Sequence, residues 1–595
     1  MKNFTTIFLL SLLYSFSILS IANAADIDRV VGEQNRVIQN QQQFEQSKER
    51  KTELHTIEIE QQASEAKELE PEEESEEVKM KKRCILVKKI TFTKNKILSQ
   101  GQESELVKNY LMRCLKADDI SQMLQEITEY IVKKEYVTSK AELLKQDVSK
   151  GELVVEIVEG KMENFIFNDD KFFDKTQKLA AFGVVERDKI LNLRDFASGL
   201  EQVNRLRSNS ATIKIAAGSY PQSSIVVLKN QPKNTLRTNF ALDDFGSEST
   251  GKRRDTMGVS YDNLLHLNDN FNFSRTANDF SHKKDLGKNQ SLNFGWSMPI
   301  KSNLLSISHS RYSYALVQGD ISRFKAEGQS ITTSLNFESQ WIKQKKYRLK
   351  SQFGLVRRDI VNYINEDKIL SSSRKATLVS LALPNNIFFD KASLLLKPSY
   401  VKGVKALNAR KDEGNIARQS PHSQFDLLKF YANYSQPLVV PFAKIPFNYN
   451  LSFDSQIAKQ KLYSSDQFFL GGPYTVRGFE GGSIGGDSGY LFKNELSFNL
   501  GKVATSLFKD TKFLPMVALN KISVTPFYDY GYIKLRGTSS SGRLSGSGFR
   551  TSFAHKDFTA NLTLAWVASK SLLLQNKYSE NQAVYFDIAK EFSFF

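Results

Sequence analysis

In 595 residues the chain holds only two cysteines and six histidines. Two thiols, Cys84 and Cys114, with no histidine nearby do not supply the four ligands of a structural metal centre. The histidines, His55, His266, His282, His309, His422 and His555, show no paired-ligand spacing, so no metal is expected. There is no phosphate-cradling glycine loop closed by Lys-Ser or Lys-Thr and no dinucleotide fingerprint, so no cofactor is expected either. Gly486-Asp487-Ser488-Gly489-Tyr490 has the outline of a serine nucleophile loop, but no histidine offers a recognisable general base, and an enzyme is not expected. Beyond residue 24 no stretch approaches 18 uninterrupted apolar residues, which leaves the rest of the chain without a membrane-spanning helix.

Residues 1–24 have Lys2, an apolar run from Phe4 to Ile21 interrupted by serines, and Ala22-Asn23-Ala24 before Ala25. This is the pattern of a secretory signal peptide. A net charge of +17 would ordinarily point to nucleic acid. In an exported chain the counterions are instead anionic lipid headgroups or lipopolysaccharide, and no nucleic-acid partner is expected.

The acidic, proline-containing run Glu68-Leu69-Glu70-Pro71-Glu72-Glu73-Glu74-Ser75-Glu76-Glu77 marks a linker over 58–81. Ahead of it, within 25–57, Ile27, Val30, Val31, Val37, Ile38 and Phe44 fall near helical spacing on a background of Gln and Asn. A coiled coil would require longer heptads with charged flanks. The pattern fits a lone amphipathic helix in a watery, polar-walled cavity. From Lys82 to Lys233 short strands alternate with helices twice. Strands are expected at Ile85–Phe92, Tyr136–Leu144 and Leu153–Val158, with helices at Glu103–Cys114 and Ser121–Lys134. A shorter second unit has strands at Glu163–Phe167, Ala211–Ala216 and Ser224–Lys229 around one helix, Leu193–Leu206. Two small α+β modules, 82–160 and 161–233, therefore stand in series. A cysteine pair in an exported protein is most simply a disulfide, and Cys84–Cys114 would stabilise the first module by about 3 to 4 kcal/mol.

Beyond Asn234 the pattern changes to period two. In Ile522–Tyr532, Ile522, Val524, Pro526, Tyr528, Tyr530 and Tyr532 alternate with Ser523, Thr525, Phe527, Asp529 and Gly531, giving one apolar face and one mostly small or polar face that carries a carboxylate. Leu562, Leu564 and Trp566 oppose Asn561, Thr563 and Ala565, and Phe492, Leu496, Phe498 and Leu500 oppose Lys493, Glu495, Ser497 and Asn499. The span is too long for one sandwich, aromatic residues gather at strand ends, and the chain is exported. These features indicate a transmembrane antiparallel β-barrel over 234–595, with about 16 strands at about 22 residues per strand and connection. Within it, Gly471-Gly472-Pro473-Tyr474-Thr475-Val476-Arg477-Gly478-Phe479-Glu480-Gly481-Gly482 is a glycine-dense loop, part of a segment 458–488. Its one arginine is always charged and needs a fixed acidic partner.

A leader, a lone helix, a linker, two modules and a barrel together resemble the two-partner secretion outer-membrane transporters (TpsB) of the haemolysin secretion/activation protein family, within the outer-membrane-protein-insertase superfamily. Tyr136-Val137-Thr138-Ser139-Lys140-Ala141 and Gln146-Asp147-Val148-Ser149-Lys150-Gly151-Glu152-Leu153, closing at Val158-Glu159-Gly160, are similar to the signature of a first POTRA domain. Leu191-Asn192-Leu193-Arg194-Asp195 and Gly199-Leu200-Glu201-Gln202-Val203-Asn204-Arg205-Leu206 are similar to a second, and Val476-Arg477-Gly478-Phe479 to the barrel-loop motif.

The resemblance implies that the loop folds into the barrel and that Arg477 pairs with Asp529 of Phe527-Tyr528-Asp529-Tyr530-Gly531. Glu495, on the lumen face by parity, is a second acceptor. It further implies an N-terminal helix that plugs the resting pore, and a monomer in the outer membrane of a Gram-negative bacterium with its POTRA domains in the periplasm. The expected partners are a secreted exoprotein with an N-terminal secretion domain, outer-membrane lipid, and the barrel assembly machinery during biogenesis. Export would proceed without ATP. The cargo stays open among adhesin, cytolysin, growth-inhibition toxin and haem scavenger, as does its activation by the transporter. The rival reading is a general barrel assembly and insertion factor, against which two modules rather than more argue. One departure concerns the last strand: Val584, Phe586, Ile588, Phe592 and Phe594 form its apolar face and leave Phe595 on the other parity, which calls for a bulge or for a terminal residue used only in recognition.

Overall fold

The computed structural model describes Gln41, Gln43, Ser47, Arg50 and residues 84–594, apart from 169–170, 248, 279–286, 319–323, 480–482, 508–515, 572 and 574–580. The expected signal peptide, acidic linker and Phe595 lie outside the described residues, as does most of the expected N-terminal helix.

In the first module β1 (Ile85–Val87) pairs with β3 (Arg113–Leu115), while β2 (Lys89–Thr93) runs parallel to β5 (Glu152–Val158), which also takes β4 (Lys140–Leu143) antiparallel. Helices α1 (Gln100–Val107) and α2 (Ala117–Lys133) complete it. Met123, Ile127 and Ile131 recur every fourth residue on α2 and are buried with Leu153, Val155 and Ile157 of β5. Two expectations are corrected. The strand anticipated over Ile85–Phe92 is two strands in different sheets. The helix anticipated to reach Cys114 stops at Val107, and the chain reverses through Met112 at φ 58° so that Cys114 stands on β3 opposite Leu86. Cys84 and Cys114 form the disulfide, now tying the start of one strand to its paired neighbour.

The second module has β6 (Lys161–Phe167) parallel to β8 (Ser223–Lys229), with β7 (Thr212–Ala217) on the outer edge. It holds two helices, α3 (Phe172–Phe182) and α4 (Leu193–Asn204), where the sequence suggested one. The periodicity of α3 is blurred because Phe172 and Leu179 point outward while Ala181 and Phe182 join the core, where Phe165 meets Phe182 edge-on at 4.8 Å and Phe196 at 5.1 Å.

The remainder is a closed antiparallel barrel. The wall is β9 (Leu236–Asp243), β10 (Arg254–Asp262), β11 (Asn270–Ala277), β12 (Lys288–Ile300), β13 (Asn303–Gln318), β14 (Phe324–Gln344), β15 (Tyr347–Ile364), β17 (Arg374–Ala382) with β18 (Asn385–Phe388), β19 (Ser393–Val404), β20 (Asp426–Val440), β21 (Ile445–Ala458), β24 (Ser488–Asn499), β25 (Ile522–Lys534), β26 (Ser541–His555), β27 (Phe558–Ser569) and β28 (Gln582–Phe594). The two-residue β16 (Asp367–Lys368) only extends the β15 ladder, and β17 and β18 are one wall strand interrupted at Pro384, which has no N–H to give the ladder. Sixteen strands therefore cross.

β28 pairs with β9 from Asp587↔Asp243 to Phe594↔Leu236 and closes the ring. Its described pairs run without a register break, so the bulge considered for this strand is not seen up to Phe594. Leu500 does not continue β24 as the alternation suggested. It opens the helix α5 (Leu500–Leu507), followed by the single turn α6 (Met516–Leu519) before β25.

The second module is fastened to the periplasmic rim. Arg205 donates to Ser297 Oγ on β12 (3.1 Å) and to the Asn268 carbonyl (2.6 Å), Arg207 pairs with Glu591 (2.9 Å), and Glu201 on α4 accepts Lys343 (2.9 Å) and Arg348 (3.2 Å). The Ser208 amide donates to Asp262, which also takes both ends of Arg237.

Replacing both cysteines by serine lowers the stability of the first module by about 3 kcal/mol and speeds hydrogen exchange of the β5 amides in the intact chain about a hundredfold. Unchanged exchange would show that β5, Met123 and Ile127 hold the module without the bridge.

Candidate functional site

Between β21 and β24 the chain enters the lumen as a long loop. It includes the short ribbon β22 (Phe468–Leu470) with β23 (Ile484–Gly486). Its apolar residues Leu470, Val476, Phe479 and Ile484 are buried against Leu491, Ile533 and Leu544, whose side chains turn inward from β24, β25 and β26. The inner wall is thus apolar where the loop rests, and burial of these side chains provides the non-directional part of the attachment.

Direction comes from Arg477, 4% exposed. Its Nε and Nη2 donate to the two oxygens of Asp529 at 2.6 and 2.7 Å, a two-point fork that a point charge cannot reproduce. Nη1 donates to Glu495 Oε1 at 2.7 Å, and the backbone amide of Arg477 adds a further bond to Asp529 Oδ2 at 3.1 Å. The guanidinium carbon lies 3.5 Å from the centre of the Phe527 ring. Asp529 is fully buried, on the lumen face of β25, and Glu495 is on β24 next to it.

Two close approaches seat the motif. Gly478 has φ 104°, and a Cβ there would lie 3.0 Å from the Trp566 backbone. On the wall, a Cβ at Gly546 would fall 1.9 Å from the Arg477 carbonyl oxygen. The structure therefore brings Val476, Arg477, Gly478 and Phe479 together with Asp529 and Glu495, while Cys84 and Cys114 lie apart in the first module.

Sequence reasoning missed two further anchors. Before the motif, Tyr474 accepts a bond from Arg254 Nη2 (2.8 Å), whose Nε donates to Asp243 (2.7 Å), and the Tyr474 ring meets Phe245 edge-on at 5.5 Å. The loop is thereby tied to the first strand, beside the seam with β28. Nearer its entry, Asp466 pairs with Arg358 (3.0 Å) and with Arg374, which lies 4.2 Å over the Tyr463 ring. Lumen-facing arginines at 254, 358 and 374 were the available signal, but pairing each with a loop residue requires the register of the whole wall. Asp487 at the loop's end takes the Leu462 amide (2.8 Å) and the Arg536 amide (2.7 Å), and Ser488 Oγ takes the Ala458 amide (3.0 Å). The Asp-Ser pair considered for catalysis thus closes the base of the loop.

The four described residues of the N-terminal segment are helical, and Gln41, Gln43 and Arg50 lie within the lumen. Gln41 Nε2 donates to Ser291 Oγ on β12 at 3.1 Å, Arg50 pairs with Asp454 on β21 and lies over the Tyr431 ring, and the buried Gln43 faces Gly472 of the loop. β12 and β21 stand nearly opposite in the ring.

The profile of a family described as haemolysin secretion/activation protein ShlB/FhaC/HecB matches residues 222–552. A ShlB-type POTRA domain matches 85–160, and a further POTRA domain 161–217. The outer membrane transporter CdiB of Dickeya dadantii is 28% identical over 498 residues, covering 83% of this chain and 84% of that protein. The hemolysin transporter protein ShlB of Serratia marcescens is 28% identical over 408 residues, 66% and 69% of the two chains. Among solved structures, CdiB from Escherichia coli superposes with a TM-score of 0.78 at 24% identity, covering 94% of this chain and 98% of that one. CdiB from Acinetobacter baumannii gives 0.68 at 19% identity, covering 93% and 99%. These likenesses are to the fold.

Gly546→Ala forces the loop off the wall at Arg477, and Arg477→Lys leaves the Asp529 fork half filled. Each is expected to cost about 3 kcal/mol or more of loop docking, because a buried charge loses its partners. Limited proteolysis of the purified barrel, followed at 459–487, should show faster cleavage in both variants, and protection equal to the parent chain would exclude this docking.

Proposed function

The chain belongs to the haemolysin secretion/activation protein family ShlB/FhaC/HecB, and from that membership we infer that it is an outer-membrane transporter that exports a partner exoprotein in two-partner secretion. The observation that carries the reading is the docking of the Arg477 loop on Asp529 and Glu495 inside a sixteen-strand ring that has two POTRA modules at its periplasmic rim. The family match is to secretion and activation proteins rather than to barrel assembly factors, so the assembly reading has no observation of its own.

We propose the following division of labour. The modules receive an unfolded exoprotein by its N-terminal secretion domain. The outer edge of the second module's sheet, β7, is solvent-exposed along most of its length, and an extended client segment can add to such an edge through main-chain hydrogen bonds. The segment then enters a lumen whose resting contents are the N-terminal helix and the Arg477 loop. Among its described residues the helix is held by contacts such as Gln41 to Ser291 and Arg50 to Asp454, which water can replace as it leaves. The loop is held by apolar burial and by three charged anchors, and it stays as the element that sets the pore's width. No nucleotide is needed, because folding of the exoprotein outside draws the rest across.

Arg477→Ala is expected to abolish appearance of the exoprotein outside the cell while heat-modifiable mobility shows the barrel still assembled. Normal export by that variant would overturn the loop's role. Deleting residues 26–50 is expected to raise ion conductance several-fold in planar bilayers, and unchanged conductance would remove the N-terminal helix from the pore.

A further inference from the structure

Helix α3 of the second module has three faces. At 100° per residue, Phe173, Thr176, Gln177 and Ala180 share the first, which lies on the barrel rim. Phe173 stacks on His266 with centroids 4.0 Å apart, and Thr176 Oγ1 donates to the His266 carbonyl (2.8 Å). The Gln177 carbonyl accepts from Asn268 (2.9 Å), and the Ala180 carbonyl accepts from the Lys301 amide (2.8 Å). The helix therefore lies beneath two periplasmic turns, β10–β11 and β12–β13. The second face, with Ala181 and Phe182, belongs to the module's core, and Lys178 reaches over the Phe165 ring.

The third face carries Phe172, Lys175 and Leu179. Phe172 is 74% exposed and Leu179 58%, and Phe173, stacked on His266 at the rim, is still half exposed beside them. An apolar face of this kind on a periplasmic domain calls for an occupant. Its setting identifies one. Arg205, at the end of α4, reaches Ser297, which faces the lumen from β12, so α4 takes the pore side of the rim and the free face of α3 turns away from the pore. Directly above, the outward side chains of β11 and β12 form an aromatic cluster at the periplasmic end of the wall: Phe271 lies 6.2 Å from Trp296 and 6.0 Å from Phe294. Leu264 and Leu265 are exposed on the β10–β11 turn. At the foot of the lipid-facing wall, therefore, Leu264 and Leu265 are exposed on the turn, and Phe172 and Leu179 are exposed on the helix that lies beneath it, with Lys171 and Lys175 on the same helix end. Aromatic and aliphatic side chains flanked by lysines suit the boundary between acyl chains and anionic headgroups.

We propose that α3 is a membrane-seated anchor: Phe172 and Leu179 insert into the periplasmic leaflet beside the barrel, with Lys171 and Lys175 against anionic phospholipid headgroups. The second module is then held at a fixed height and azimuth by lipid as well as by the rim. The inference rests on the outer-membrane placement of the wall.

The test uses nitroxide labels in the full chain, whose two native cysteines are already bonded to each other. Variants with one added cysteine, Phe172→Cys and Leu179→Cys, are reconstituted in phosphatidylethanolamine–phosphatidylglycerol liposomes. Met112→Cys, at a position 73% exposed in the first module, is the water reference, and Phe273→Cys on the outer wall of β11 is the lipid reference. Labels at 172 and 179 are expected to collide with a water-soluble nickel chelate about threefold or more less often than the label at 112, and more often with oxygen. Nickel access at 172 and 179 equal to that at 112, with 273 shielded, overturns the anchor and leaves the barrel reading standing. Nickel access at 273 as well overturns the wall's placement. Shielding at 172 that arises only on adding the exoprotein's N-terminal domain assigns the face to cargo and likewise overturns the anchor.

Discussion

A guanidinium held almost completely out of water is tolerated only when fixed acceptors surround it, and Arg477 sets that requirement on four wall strands at once. Asp529 and Phe527 come from β25, Glu495 from β24, the space for the Arg477 carbonyl from Gly546 on β26, and the backbone against which Gly478 sits from β27. Asp529 and Glu495 flank the charge together only when the β24–β25 register is correct, and the backbone either side of it fits only when β25–β26 and β26–β27 are correct as well. The loop therefore reports on the wall, and the wall on the loop. Leu470, Val476 and Phe479 add the area that makes the position favourable, whereas Arg477 makes it unique.

The same arrangement recurs at the rim on a smaller scale. Asp262 receives Arg237 from the first strand and the Ser208 amide from the second module, so one buried carboxylate joins the entrance strand of the barrel to the domain that precedes it. Glu201 does the equivalent at the β14–β15 turn. The modules share in defining the geometry of the barrel's mouth, because the residues that fasten them are the ones that shape the first turns.

Much of this was legible in the sequence where a period decides the outcome. Alternation placed Asp529 and Glu495 inward and Tyr528 outward, because a strand has only two faces and lipid admits one kind of residue. Periodicity failed where a helix has more than one partner. α3 shows no clean apolar stripe, since it serves a core, a rim and an outward face together. Cys114 reads as helical because Lys108 to Met112 carries no glycine or proline to announce the reversal. Leu500 continued the parity of β24 but begins a helix. The anchors Tyr474–Arg254 and Asp466–Arg374 join residues 220 and 92 positions apart in sequence, which local pattern does not encode.

The seam between β28 and β9 has a consequence for the path a polypeptide can take. Eight consecutive residue pairs zip the two strands, and Asp243 at one end of that zipper also holds the arginine that holds Tyr474. In a bilayer, main-chain donors and acceptors parted from each other find no water to replace the lost bonds. Sideways exit into the lipid would demand that this zipper open and that the loop's footing be disturbed with it. Travel along the barrel axis demands neither. The wall is built as a sleeve, and it leaves its passenger one way to go.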